Sequence, residues 1–195
     1  MPPKSQLIEK RKQIVDAFID AVLHVGLEKA SMSEVANRIG LDRSTLHYYF
    51  KTRYELISAA TEHIHTIYCE SLKTEVDGLS HENIVDRLIE HIFGPKFHNH
   101  QMSILLDELS TAGNRDAAIQ EKVTEIYLAL EEAIAEVLIA AFPKRSARKC
   151  RDTAALLTML AEGYTTAVSL GVGNTRRLLA RQLAVSCVAA LDQLP

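Results

Sequence analysis

Arg43, Ser44, Thr45, His47 and Tyr48 fall within the six positions 43–48 of the chain, and each is a type that hydrogen-bonds to a nucleic acid. A guanidinium reaches guanine edges or phosphate oxygens, and a threonine offers a hydroxyl or a methyl. Histidine and tyrosine donate to backbone oxygens, and serine is small enough for close approach. Lys51 and Arg53 follow at the amide-rich start of another helix, where a phosphate strand would pass. The surrounding sequence, SMSEVANRIGLDRSTLHYYF over 31–50, supplies the means of presenting them. Val35, Ala36, Ile39, Leu41, Leu46 and Phe50 give two short helices an apolar side, leaving the polar set on the other. Ala36 suits a close helix crossing and Gly40 a tight turn, so the spacing is that of a helix-turn-helix. Tyr49 and Phe50 read as packing residues. The competing reading is a surface helix whose polar residues are merely solvated.

Helical periodicity runs through the rest of the chain with no bounded period-two alternation, so the predicted class is all-α, with about nine helices. A first helix over about residues 5–25 buries Ile14, Phe18, Ala21 and Val25 and stops at a left-handed Gly26. Ser31 and Glu34 have capping-box spacing, Asp42 is placed to cap a third helix reaching about Phe50, and Thr52 with Glu55 opens a fourth. The inward stripe of that helix is Leu56, Ile57, Ala60, Ile64, Ile67, Tyr68, Ser71 and Leu72. Further helices are expected near 81–93 and 98–112, then along Ile119–Ala141 until Pro143, and at about 146–170 and 175–193, with Asn174 capping the last.

Composition narrows the function. The chain has 195 residues, 47% of them apolar, and no stretch reaches the ~20 apolar residues of a membrane span. The start, MPPKSQLIEKRKQ, lacks the apolar core of a secretory signal, so a cytoplasmic protein with no membrane partner is expected. Three scattered cysteines, Cys69, Cys150 and Cys187, suit a reducing compartment and lack zinc spacing. Net charge is −3, but residues 1–53 hold nine Lys/Arg against six Asp/Glu, a basic front end that favours a polyanion. Gly171-Val172-Gly173 lacks the third glycine and preceding strand of a dinucleotide site. A P-loop, a G-x-S-x-G elbow and an H-E-x-x-H pair are absent. Glu62 and His65 have the E-x-x-H spacing of di-iron bundles, which use that motif twice; here it occurs once. His98-Asn99-His100 has nuclease-like letters without the strand-and-helix setting. No catalytic residue, metal or cofactor is expected.

The amphipathic first helix ending at Gly26, the S-M-x-x-V-A-x-x-I-G run of 31–40, the T-L-x-Y-Y-F run of 45–50, and Thr52-Arg53 followed by Glu55-Leu56 resemble the tetracycline-repressor (TetR) family of bacterial transcription regulators. The resemblance spans residues 8–68. It implies an amino-terminal DNA-binding domain of three helices, joined by helix four to a carboxy-terminal effector-binding and dimerisation domain over 69–195. It also implies DNA contact by Ser33, Arg43, Ser44, Thr45, His47, Tyr48, Lys51 and Arg53. Ser44 stands where the family often has glycine and His47 where it often has tyrosine. The implied protein is a homodimeric repressor, released by a small-molecule effector, on a palindromic double-stranded operator. Its two reading helices would sit about 34–36 Å apart or a multiple of that. A helical small-molecule-binding or interaction protein without DNA binding is the alternative.

Within 69–195, Met102, Leu105, Leu106, Leu109, Tyr127, Leu130, Leu160 and Tyr164 are candidate cavity walls, with Glu108 and Glu162 as carboxylates suited to a cationic effector. The same residues also describe an ordinary bundle core. On the last two helices, Ala154, Leu157, Ala161 and Thr165, then Leu179, Leu183, Ser186 and Ala190, are spaced to face outward as a two-fold interface. Internal packing is the rival for these sets.

Overall fold

The computed structural model describes residues 3–78, 81–95, 97 and 100–193. Among them are nine helices and no strand: α1 (Lys4–Val25), α2 (Met32–Arg38), α3 (Arg43–Tyr49), α4 (Arg53–Val76), α5 (His81–Ile92), α6 (His100–Gly113), α7 (Ala117–Ala141), α8 (Ala147–Ser169) and α9 (Gly173–Gln193). The chain forms two compact units. One comprises Met1–Ile64 with Ile104–Thr124, and the other His65–Ser103 with Glu125–Pro195. Segment 104–124 thus belongs to the same unit as the amino-terminal helices.

In the first unit, α1 buries Ile14, Val15, Phe18, Ala21 and Val22, while Val25 turns outward. Gly26 ends the helix at φ 79°, ψ 158°, with its N–H donating to the Val22 carbonyl. That backbone is not the left-handed helical one expected but an extended positive-φ conformation open essentially to glycine alone. Ser31 Oγ caps α2 by accepting from the Glu34 N–H at 3.2 Å. The reciprocal half of the capping box is not made. The Ser31 N–H goes to the Lys29 carbonyl, and Glu34 instead accepts from Arg38 Nε at 2.8 Å, a charge-assisted bond that outcompetes a neutral amide. Arg38 also reaches Asp20, at 2.6 Å.

At the end of α2, the Leu41 N–H bonds the Ala36 carbonyl at 2.9 Å and the Gly40 N–H bonds that of Asn37 at 3.3 Å. Gly40 sits at φ 63°. This is a Schellman closure, and it makes the turn between α2 and α3 a defined geometry rather than a loose link. At the start of α4, Thr52 Oγ1 accepts from the Glu55 N–H at 3.2 Å. The Glu55 carboxylate reaches back one residue further than a capping box requires, to the Lys51 N–H at 2.8 Å. Along α4 the stripe from Leu56 to Leu72 is inward as expected except at Ile67, which is exposed.

Segment 104–124 belongs with these helices for an identifiable reason. The chain between α1 and α2 leaves the Leu27 N–H without a helical acceptor, and Leu27 is buried. Glu108 of α6 supplies Oε2 at 2.7 Å. Tyr54 of α4 donates its hydroxyl to the Ala118 carbonyl at 3.4 Å. Leu105 and Leu109 are fully buried in the same unit. Glu108, Leu105 and Leu109, expected as effector-cavity residues, thus lie in the amino-terminal unit, where Glu108 closes the α1–α2 loop and the two leucines are buried; Leu106 is half-buried.

In the second unit, α8 is capped by Ser146, whose Oγ accepts from the Lys149 N–H at 3.2 Å. It packs along α9, and Cys150, Ala154, Leu157 and Ala161 of α8 and Ala180, Ala184 and Val188 of α9 are buried. Small side chains let the two helices approach closely. This corrects the outward assignment of Ala154, Leu157 and Ala161, which are buried in their own subunit; Thr165 is half-buried. The exposed side of α8 carries Leu156 and Met159 instead. The N–H groups of Val172 and Gly171 close α8 on the carbonyls of Ala167 and Val168. Because α9 begins at Gly173, Asn174 lies in its first turn rather than capping it. Glu90 of α5 clasps α9 through Arg177 at 2.6 Å and Arg181 at 2.5 Å, and Arg177 Nε also donates to the Phe93 carbonyl at 2.9 Å.

Replacing Glu108 by Ala strands the buried Leu27 amide, a loss of about 1–3 kcal/mol. For a chain of this size that lowers the melting temperature by about 2–12 °C. Glu108→Gln, which keeps an acceptor, recovers most of it in the same thermal melt. Equal melting of wild type and Glu108→Ala would contradict the assignment.

Candidate nucleic-acid interface

A seven-residue helix is too short to persist alone, so the presentation of α3 depends on what holds it. Leu46 and Phe50 are 0% exposed and fix its inner side. At 100° per residue, Ser44 and Tyr48 then point nearly opposite Leu46, with Thr45 and His47 on the flanks. The observed burial follows that wheel: Ser44 and Tyr48 are exposed, Tyr48 at 53%, while Thr45 and His47 are half-buried. Arg43, Ser33 and Lys51 are exposed as well.

Both ends of α3 are held by charge. At its start, Asp42 accepts from the Thr45 N–H at 2.8 Å, from the Ser44 hydroxyl and from Thr45 Oγ1 at 2.7 Å. The Ser44 hydroxyl bond, then those from Thr45, hold the Asp42 carboxyl far below the usual carboxylate range. At its end, Arg11 of α1 donates to the Tyr49 carbonyl and lies 4.1 Å over the centre of the Phe50 ring. A cation there meets the negative end of the helix dipole and an aromatic face at once. Nothing local in the sequence marks Arg11 for this role, because its partner lies 38 residues away.

The expected contact residues divide on inspection. Arg43 Nε approaches His47 Nε2 at 3.4 Å, and His47 Nδ1 lies 3.2 Å from the Lys51 carbonyl. That pairing places the ring proton on Nδ1 and occupies both nitrogens. His47 thus bridges Arg43 and the Lys51 carbonyl at the α3–α4 corner. The Arg43 terminal nitrogens remain available for a forked contact. The Lys51 ammonium stands 5.9 Å from the Tyr48 ring centre. Arg53 departs from expectation: its Nε donates to the Ala30 carbonyl at 3.1 Å and its Nη2 to that of Leu27. Burial pulls its pKa down, against the opposing pull of Asp116 and Glu28. Arg53 brackets the α1–α2 loop through these two carbonyls.

In the second unit, Met102, Leu130 and Tyr164 are buried and Tyr127, Leu160 and Glu162 half-buried. Tyr68 packs on Phe97 with ring centres 4.8 Å apart, and Phe93 meets Tyr164 at 5.8 Å. Burial, then the Glu162 charge, pushes the Tyr68 phenol up to about 12. Three grooves of this unit are lined by other residues. One of about 280 Å³ lies by Arg87, Glu90 and His91. One of about 430 Å³ lies by Leu156, Leu183, Ser186 and Ala190. One of about 590 Å³ lies by Leu72, Val76, Ile84 and Val137. Among the described residues no group of three or more His, Cys, Asp or Glu is placed to hold a metal. His98 and Asn99, and the side chain of His100, lie outside the described residues.

Residues 14–60 match the family model described as bacterial regulatory proteins, tetR family. The HTH-type transcriptional regulator BetI of Serratia proteamaculans (strain 568) is 28% identical over 88 residues, 45% of this chain and 44% of that protein. The chain thus spans less than half the length of that relative. The HTH-type nicotine-responsive transcriptional repressor HdnoR of Paenarthrobacter nicotinovorans is 22% identical over 158 residues, 80% of this chain and 81% of that one. Among solved structures, a TetR transcription regulator from Haloarcula marismortui ATCC 43049 superposes with a TM-score of 0.77 at 16% identity, covering 93% of this chain and 97% of that chain. At such identity the likeness is one of fold.

Proposed function

We propose that the chain, whose residues 14–60 match the model of the tetR family of bacterial regulatory proteins, is a transcriptional regulator of that family and not an enzyme: a cytoplasmic, homodimeric repressor that a small molecule releases from a palindromic operator. The observation that carries the reading is the two-sidedness of α3. Its inner face is sealed by Leu46 and Phe50, and its outer face presents Arg43, Ser44 and Tyr48 to solvent beside Lys51. Such a face enters a major groove with the Arg43 fork on guanine O6 and N7 or on a phosphate, and with Tyr48, Lys51 and Ser33 on the backbone. Arg53 is left out of the contact set.

The dimer is supported by apolar surface without a cover. Leu156 and Met159 on α8 are 52% and 64% exposed, and Leu179 and Leu183 on α9 are 52% and 47% exposed. Ser186 and Ala190 continue the α9 face, and a second copy related by a two-fold axis buries the same patch on both partners. The two-fold also dictates a palindrome, since it repeats the reading face. For release, the small molecule binds the geometry with the wrong spacing more tightly than the DNA-competent one; equal binding shifts nothing. Glu162 and the aromatic side chains of the second unit are the groups that favour a cationic effector, and HdnoR is described as nicotine-responsive. No described helix is long and apolar enough to cross a membrane.

Fluorescence anisotropy with duplex from the gene's own upstream region tests DNA binding. Arg43→Ala with Lys51→Ala weakens binding by an order of magnitude or more at moderate salt and reduces the slope of log K against log salt by about 1–2, with far-UV dichroism unchanged. Wild-type affinity and slope in the double variant would refute the assigned face. Sedimentation equilibrium tests the dimer: wild type sediments as two chains, and Leu156→Glu with Leu183→Glu as one. A monomeric wild type would refute the interface.

A further inference from the structure

The inward stripe of α1 continues past the residues that it buries. Ile14, Val15, Phe18 and Val22 are buried, and at 100° per residue Lys4, Leu7 and Arg11 lie within about 40° of Phe18, with Ile8 and Lys10 at the two edges. Burial fades along that stripe toward the start of the helix. Leu7 is half-buried, Ile8 is 60% exposed, and Lys4 and Arg11 are exposed. Arg11 anchors the stretch, donating to the Tyr49 carbonyl and covering the Phe50 ring at 4.1 Å. The first two turns of α1 therefore extend past the α3–α4 corner, where Tyr48 and Lys51 also stand exposed.

The charges of this overhang are sorted by side. Residues 4–12 hold four cations and one acid. The acid, Glu9, points opposite Phe18 and accepts from the Gln13 amide at 3.5 Å. Lys12 pairs with Asp16 at 3.2 Å, also on the outer side. Lys4 stays on the inward stripe and Lys10 beside it, where it meets the uncharged Gln13 side chain at 3.4 Å. A stripe that carries lysine and one exposed isoleucine suits an apolar protein surface badly and a polyanion well.

We infer that the first two turns of α1 are a second DNA-contact element, in which Lys4 and Lys10 hold phosphates of the strand that Tyr48 and Lys51 meet, while Arg11 ties the overhang to the end of the reading helix. The inference rests on the DNA-reading role of α3 proposed above and adds to it a surface outside the helix-turn-helix. Lys4 precedes Arg11 by about 10 Å along the helix, the axial rise of about three base pairs. Phosphate contacts carry no base identity, so α1 adds affinity and register while α3 keeps the base readout.

The test uses the full chain, a duplex that it selects from a random pool, and a random-sequence duplex of equal length. Anisotropy is followed across salt concentrations for wild type, for Lys4→Ala with Lys10→Ala, and for Lys4→Arg with Lys10→Arg. The alanine pair is expected to weaken binding to both duplexes by a common factor of about tenfold or more at moderate salt, and to lower the slope of log K against log salt by about 1 for each phosphate released. The arginine pair keeps the charge and binds as wild type does. Methylphosphonate substitution, which neutralises one phosphate at a time, then locates the contact. Phosphates that matter to wild type but not to the alanine pair are expected within about three base pairs of those silenced by Lys51→Ala. If the alanine pair keeps wild-type affinity and slope while Arg43→Ala with Lys51→Ala loses them, the overhang inference fails and the reading role of α3 stands. If the alanine pair loses the preference for the selected duplex, or loses the wild-type sedimentation or far-UV dichroism, α1 acts on structure or assembly and the inference fails. If wild type binds neither duplex at low salt, the reading role fails and this inference with it.

Discussion

Burial of Leu46 and Phe50 is the constraint on which the rest depends. Seven residues cannot sustain a helix in water, and α3 exists because two large side chains, each contributing about 1.5–3 kcal/mol when fully buried, hold one side of it against the amino-terminal unit. The outer side is a geometric consequence. Once Leu46 points inward, Ser44 and Tyr48 point out, whatever their chemistry. Asp42 and Arg11 then secure the two ends, each satisfying backbone groups that a helix terminus leaves open. The outward face of α3 is therefore fixed by packing and by its two ends, so that under the proposed DNA contact little ordering would remain to be done.

The same accounting explains why neighbouring charges have different fates. Lys51 and Arg53 are two residues apart, yet Lys51 stays in solvent while Arg53 is turned in to the carbonyls of Leu27 and Ala30. The α1–α2 loop has acceptors that no helix can satisfy, and a planar guanidinium meets two of them at once where an ammonium would not. Glu108 does the complementary service for the Leu27 amide. A loop bracketed by one cation and one anion is held from both polarities, and that requirement draws 104–124 into the amino-terminal unit.

Much of this was legible in the residues, and the boundary of legibility is physical. Caps are local: Ser31, Asp42, Thr52 and Ser146 each bond an amide three residues on, and a sequence displays that spacing directly. The α2–α3 apolar set is equally visible, because a short amphipathic helix has one choice of inner face. The roles of Arg11, Arg53 and Glu108 were not legible, since their partners lie 38, 26 and 81 residues away. On α8 the error was one of register. Ala154, Leu157 and Ala161 form one stripe and Leu156 and Met159 another, and both are apolar. Only tertiary packing decides between them, and the stripe of Ala154, Leu157 and Ala161 is the one buried within the subunit. Asp42 was legible as a cap, but its hold on two hydroxyls depends on side-chain rotamers that a sequence does not specify.

The central claim is that the outward face of α3 is the part of the protein that meets DNA. Its most direct test is a two-dimensional NMR titration of the labelled full chain with a selected duplex. The account predicts shifts concentrated at Arg43, Ser44, Tyr48 and Lys51, with Leu46 and Phe50 methyl and ring signals little changed. Shifts confined to other helices, with α3 silent through saturation, would contradict it.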